Sequence, residues 1–138
     1  SSDVCSSDLV GVRLPSHLTA TGRAILSALP RNQVRALYPN RQAFTDRTGI
    51  GPKSPKELEA TLAETQRTGF AEEHGDVTPG FDSYAVAVRD YNDFPIAGRA
   101  LTFVSGSLRP EQERSLKTKL RLAGTELSRR LGAVGSLT

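Results

Sequence analysis

Residues 64–88 read ETQRTGFAEEHGDVTPGFDSYAVAV, and the class of the fold can be read from this stretch. It opens on the end of a helical pattern, stops at Gly69, and restarts as a short strand candidate at residues 70–73. A polar turn, HGDVTPG, leads into FDSYAVAVRD, whose Tyr and Val content suits a strand. Its alternating alanines and valines imply burial on both faces. After the turn YNDFP, residues 96–104 form another strand candidate, and two such strands joined by a short polar turn predict an antiparallel hairpin.

On the N-terminal side, Ser54-Pro55-Lys56-Glu57 is a strong helix start: Ser as N-cap, Pro at the first helical position, and Glu placed to close a capping box. Leu58 and Leu62 then face the core. From Thr19, the pattern TATGRAILSALP places Ala24, Ile25, Ala28 and Leu29 on one stripe that Pro30 ends, and a short helix is expected over residues 32–38. Residues 40–53 show no period, and a loop of that length is expected to lie over a site. Residues 10–14 read as the end of a strand. The last helix starts near Arg109-Pro110-Glu111, carries Leu116, Leu120, Ala123, Leu127 and Leu131 as one apolar stripe, and ends at Gly132. Strand, helix, helix, helix, strand, strand, strand, helix is an α+β order, with helices packed on an antiparallel sheet.

The 138 residues suit one domain, and 37% hydrophobic with 24% charged residues argues for a globular rather than a disordered chain. No apolar run approaches the roughly 20 residues that span a bilayer, so a cytoplasmic location is expected. Residues 1–9, SSDVCSSDL, differ abruptly from the VGVRLP stretch after them and resemble a translated sequencing-library adapter, which sets aside Cys5, the only cysteine. Without Asp3 and Asp8, 13 acidic residues face 18 basic ones, a net charge of +5. The basic residues are scattered and aromatics are only 6%, so neither a clustered phosphate-binding face nor a stacking platform for single strands is read here.

LPSHLTATGRAILSALP, ETQRTGFAEEHGDVTPGFDSYAVAV, a hairpin ending ALTFVSG and a helix ending LSRRLG succeed one another in an order that resembles the effector-binding domain of IclR-type transcriptional regulators, along residues 10–132. The resemblance implies a GAF-like sensor fold, incomplete at its N-terminus. It also implies a winged helix-turn-helix ahead of this domain, self-association as dimer or tetramer, and a small-molecule effector. DNA would be met only through that separate domain. Asp76 stands where the family has glutamate, and Arg23 where it has lysine.

Thr19-Ala20-Thr21-Gly22 opens a helix, and the unpaired N–H groups of a first turn suit a carboxylate. The alternative is structural: Thr19 or Thr21 caps the helix, and Gly22 allows close packing. The resemblance implies effector contacts at Ala20, Thr21, Gly22, Glu73, Ser83, Thr102 and Val104, with Phe103 and Ser105 in place of the last two if the longer hairpin shifts the register. Val104 would make the pocket less polar, suited to a bulkier or aromatic acid. Glu73 beside a carboxylate would have to be protonated, bridged by water, or turned to a ligand hydroxyl. His17 and His74 are the only histidines and are read as surface or capping residues. No catalytic residue, metal ligand set or cofactor motif is read. Two other readings remain: a small hydrolase or isomerase using one of these histidines with a nearby acid, and a non-sensing oligomerisation module.

Overall fold

The computed structural model describes residues 14–133. The segment at 1–9 and all but Leu14 of the strand expected at 10–14 lie outside the described residues. The elements are α1 Ala20–Ala28, α2 Arg31–Leu37, α3 Pro55–Thr68, β1 Ala71–His74, β2 Phe81–Arg89, β3 Pro95–Val104 and α4 Pro110–Arg130. Among the described residues the three strands form one antiparallel sheet in the order β1-β2-β3, with β2 central. The α+β class and the β2–β3 hairpin agree with expectation. β1 begins and ends one residue later than expected, and α2 starts and stops one earlier.

The sheet carries a helix on each face because β2 is apolar on both. Side chains alternate sides along a strand. Ala85 and Ala87 pack with Ala71 against Ala20 and Ala24 of α1, while Tyr84 and Val86 pack with Phe70 and Phe103 against Leu120 of α4. On the α1 face the contacts are small. A Cβ at Gly98 would come within 2.4 Å of Thr21 Cγ2, so glycine there lets α1 lie directly on β3. Leu26, which the expected stripe omitted, turns away from the sheet and joins Val34, Leu58 and Leu62 in a second cluster between α1, α2 and α3. Burial on α1 is therefore spread over two sides, while Ile25, Ala28 and Leu29 are only half-buried.

α3 starts as expected: Ser54 Oγ accepts from Glu57 N at 3.2 Å. The Glu57 carboxylate, however, accepts from the Ser54 hydroxyl rather than from its backbone N–H. Gly69 ends the helix in the left-handed conformation, φ 89°. α4 departs from its expected stripe. Its buried line is Leu120, Gly124 and Ser128, with Leu116, Ala123 and Leu127 half-buried and Leu131 exposed. The reason is shape rather than hydrophobicity: a Cβ at Gly124 would lie 2.6 Å from Val86 Cγ2, so the bulky β2 residue fits only where α4 has no side chain. Ser128 Oγ also accepts the Arg89 N–H at 3.0 Å.

A cavity between the start of α1 and the sheet

Glu73, Ser83 and Thr102 stand side by side across β1, β2 and β3, each directly opposite the next. Residues so paired project to the same face, here the one covered by α1. Ser83 Oγ and Thr102 Oγ1 are 2.9 Å apart. Above this row α1 begins. Thr19 caps it, its Oγ1 accepting from Gly22 N at 2.9 Å and its carbonyl from Arg23 N at 3.0 Å. Of the first-turn donors, the N–H groups of Ala20 and Thr21 remain without an acceptor among the described residues. Between helix start and strand row lies a cavity of about 320 Å3, with Phe81 and the Val77–Thr78 turn as further walls.

The cavity brings together Ala20, Thr21, Glu73, Ser83 and Thr102. Gly22 does not line it. Its N–H is committed to the cap, and a Cβ there would meet Ser16 O at 2.3 Å, so Gly22 serves close packing. Val104 is also outside the lining and 55% exposed. Phe103 lies on the opposite face against Tyr84, with ring centroids 5.1 Å apart, and Ser105 Oγ donates to Asp82 at 2.6 Å. The register of β2 with β3 therefore puts Thr102, and not Phe103, beside Ser83.

Among the described residues Glu73 is the only acid in the lining. It is 4% exposed, and its Oε2 accepts from Asp76 N at 3.0 Å. Burial raises its pKa; the Ser83 hydroxyl and the Asp76 N–H offset part of that rise, and the Asp76 charge adds to it.

Beneath the cavity wall runs a buried ion pair: Arg23 NH2 donates to Asp76 Oδ2 at 2.6 Å. The same guanidinium donates to the carbonyls of His17 and Glu72, at 2.8 and 2.7 Å. Gly51 lies so close above the pair that a Cβ would be 2.9 Å from Asp76 Oδ2. The 40–53 loop thus covers this ion pair and contributes nothing to the cavity lining. His17 is not a surface residue: it is buried, edge-on to Tyr38 and Phe44. Its Nε2 lies 2.8 Å from Thr45 O. Since a carbonyl only accepts, that nitrogen carries the proton. The next helix and the loop that folds back bury it.

His74 is exposed, between Asp82 at 3.0 Å and Glu72 at 3.5 Å. Burial lowers its pKa, but the two carboxylates more than offset this and leave it raised. Ser105 reaches Asp82 rather than the histidine, so the acid sits between hydroxyl and imidazole. In that order His74 cannot take the serine proton. Among the described residues no cluster of His, Cys, Asp and Glu could hold a metal ion.

The family model for the bacterial transcriptional regulator IclR C-terminal domain matches residues 1–129. The chain belongs to the IclR C-terminal family. It is similar to the glycerol operon regulatory protein of Streptomyces coelicolor, 32% identical over 130 residues, which cover 90% of this chain and 48% of that protein. The structure of the Agobacterium tumefaciens repressor BlcR superposes with a TM-score of 0.81 at 31% identity, over 90% of this chain and 50% of that one. The inducer-binding domain of PobR from Acinetobacter, a double mutant in complex with 3-hydroxybenzoic acid, has a TM-score of 0.71 at 22% identity over 91% of this chain and 74% of that one; this likeness shows the fold alone. The chain spans about half the length of the curated relatives it matches. Arg23 and Asp76, 53 residues apart in the chain, are each other's partner in that buried ion pair.

Proposed function

We propose that this chain is the effector-sensing part of an IclR-type transcriptional regulator and that the cavity at the start of α1 takes a small organic acid. The observation that carries the reading is the pairing of two helix-start N–H groups without an acceptor among the described residues, Ala20 and Thr21, with the hydroxyl row of Ser83 and Thr102 across the cavity. N–H groups aligned with a helix dipole favour an anion. Glu73 at the other end suits a hydroxyl or a protonated group on the same ligand. Volume and mixed polarity are those of a small-molecule site of the lower size range, about 300 Å3. Binding that favours one of two assembly states would change DNA binding by a domain attached elsewhere, since a ligand shifts an equilibrium only through differential affinity. Self-association as dimer or tetramer and a cytoplasmic location belong to the same proposal. Among the described residues no helix is long and apolar enough to cross a membrane.

The test is thermal denaturation against a panel of small carboxylates, including hydroxy and aromatic acids. At least one should raise Tm saturably, Ser83→Leu should abolish the response, and Thr102→Val should weaken it. A folded protein that responds to no member of the panel refutes the reading. Sedimentation velocity tests the assembly: a mass of 14.9 kDa at all concentrations would remove self-association from it.

A further inference from the structure

A second cavity, of about 310 Å3, lies between α2 and α3 and shares no lining residue with the cavity at the start of α1. Its floor is aliphatic: Leu26, Val34, Leu58 and Leu62, all buried. Its mouth is charged. Arg31 and Arg35, one turn apart on α2, both reach Glu59 Oε1 of α3, at 2.6 and 3.3 Å. Hydrogen bonding from Arg31 above all, with its charge and the weaker Arg35 contact, holds the Glu59 carboxyl below its ordinary range.

Two guanidiniums share one carboxylate, which leaves the mouth with one net positive charge. Each guanidinium carries five N–H donors, and among the described residues each makes one side-chain hydrogen bond, to Glu59. The spare donors lie on the rim of a chamber whose floor is leucine and valine and whose sides add Tyr38, Pro55 and Gln66. A wholly apolar ligand would leave that charge unmatched, and a small polar acid would leave the aliphatic floor wet. An acid with an apolar tail satisfies both, its tail displacing water from the floor while its carboxylate takes the free guanidinium arms. A protein partner fits less well. α2 has seven residues, about 10 Å of helix, and a stable protein interface buries on the order of 800 Å2 per partner.

We propose that the groove between α2 and α3 is a binding site for a hydrophobic monocarboxylic acid of the medium-chain kind, distinct from the effector cavity. It does not depend on the effector reading. A protein with two such sites responds to two acids, and the second reaches α1 through Leu26 and Leu29, which line the groove on one side while Ala20 and Ala24 hold the sheet on the other.

The experiment is isothermal titration of octanoate and of 1-octanol into the chain and three of its variants. Octanoate should bind saturably and at least about fivefold more tightly than the alcohol. Ala63→Trp fills the groove from an exposed helix position and should abolish binding. Arg31→Ala with Arg35→Ala, also exposed, should weaken octanoate about fivefold, the upper range for exposed charge pairs, and serves as the test should Ala63→Trp fold poorly. Ser83→Leu, which blocks the effector cavity, should leave octanoate affinity unchanged. Absence of saturation, equal affinity for the alcohol, or binding that survives Ala63→Trp but disappears in Ser83→Leu would overturn the proposal. The last result would assign octanoate to the effector cavity, so the two readings fail separately.

Discussion

Burying a carboxylate disfavours its charged form, and Glu73 lies buried at one end of a row whose other members are hydroxyls. With its folded pKa above the ordinary 4.5, folding takes up a proton, so its contribution is most favourable below pH 4.5 and is lost as pH rises to the folded value. Glu73→Gln should therefore stabilise the protein at pH 7, by on the order of 1 kcal/mol, and the gain should vanish in acid; urea denaturation at pH 4 and pH 7 reads both. The Arg23–Asp76 pair behaves differently, because its two opposite charges meet in a buried position. Arg23→Met should cost about 3–5 kcal/mol by leaving Asp76 unpaired, while Arg23→Met with Asp76→Leu should recover much of that. A double-mutant cycle in denaturant gives the coupling, and simple additivity would show that the pair is not acting as one unit.

At the scale of elements, contact between helix and sheet is governed by where side chains are missing. Gly124 sits in mid-helix, where alanine is intrinsically preferred by about 1 kcal/mol. Yet a Cβ there would collide with Val86, so Gly124→Ala should destabilise by about 1–3 kcal/mol through overpacking. A gain in Tm would show that α4 can retreat from the sheet at no cost. α3 offers the opposite case, an end that local chemistry alone defines: Ser54→Ala should cost about 1 kcal/mol, read from the same denaturation curves. The Ser54 cap, Pro55, the Gly69 stop and the β2–β3 hairpin were all legible because each depends on neighbours within a few residues. The buried side of α4 was not, since hydrophobic spacing ranks Leu131 above Gly124, whereas the shape of Val86 ranks them the other way.

For the molecule as a whole, the two histidines oppose one another. His17 is buried, and that burial holds its folded pKa below 6.5. The stability it contributes is complete above pH 6.5 and is lost as pH falls through that lowered folded value. His74, raised above 6.5, contributes below pH 6.5, and its share is lost as pH rises through its folded value. Stability attributable to histidine should therefore be greatest around pH 6.5. His74→Ala should remove the loss on the alkaline side and leave the loss in acid; a Tm series from pH 5 to 9 distinguishes the two limbs. Class, the order of the described elements and the capped helix starts were legible in the residues themselves, because periodicity, caps and turns are local, whereas the row of candidate contacts came from the resemblance to the IclR family. It took the packed fold to establish that Thr102 rather than Phe103 stands beside Ser83, that Gly22 packs while the Ala20 and Thr21 N–H groups find no acceptor among the described residues, and that Arg23 and Asp76 are one feature. Strand register and contacts spanning 53 residues of chain arise from how the elements meet, and no local pattern encodes them.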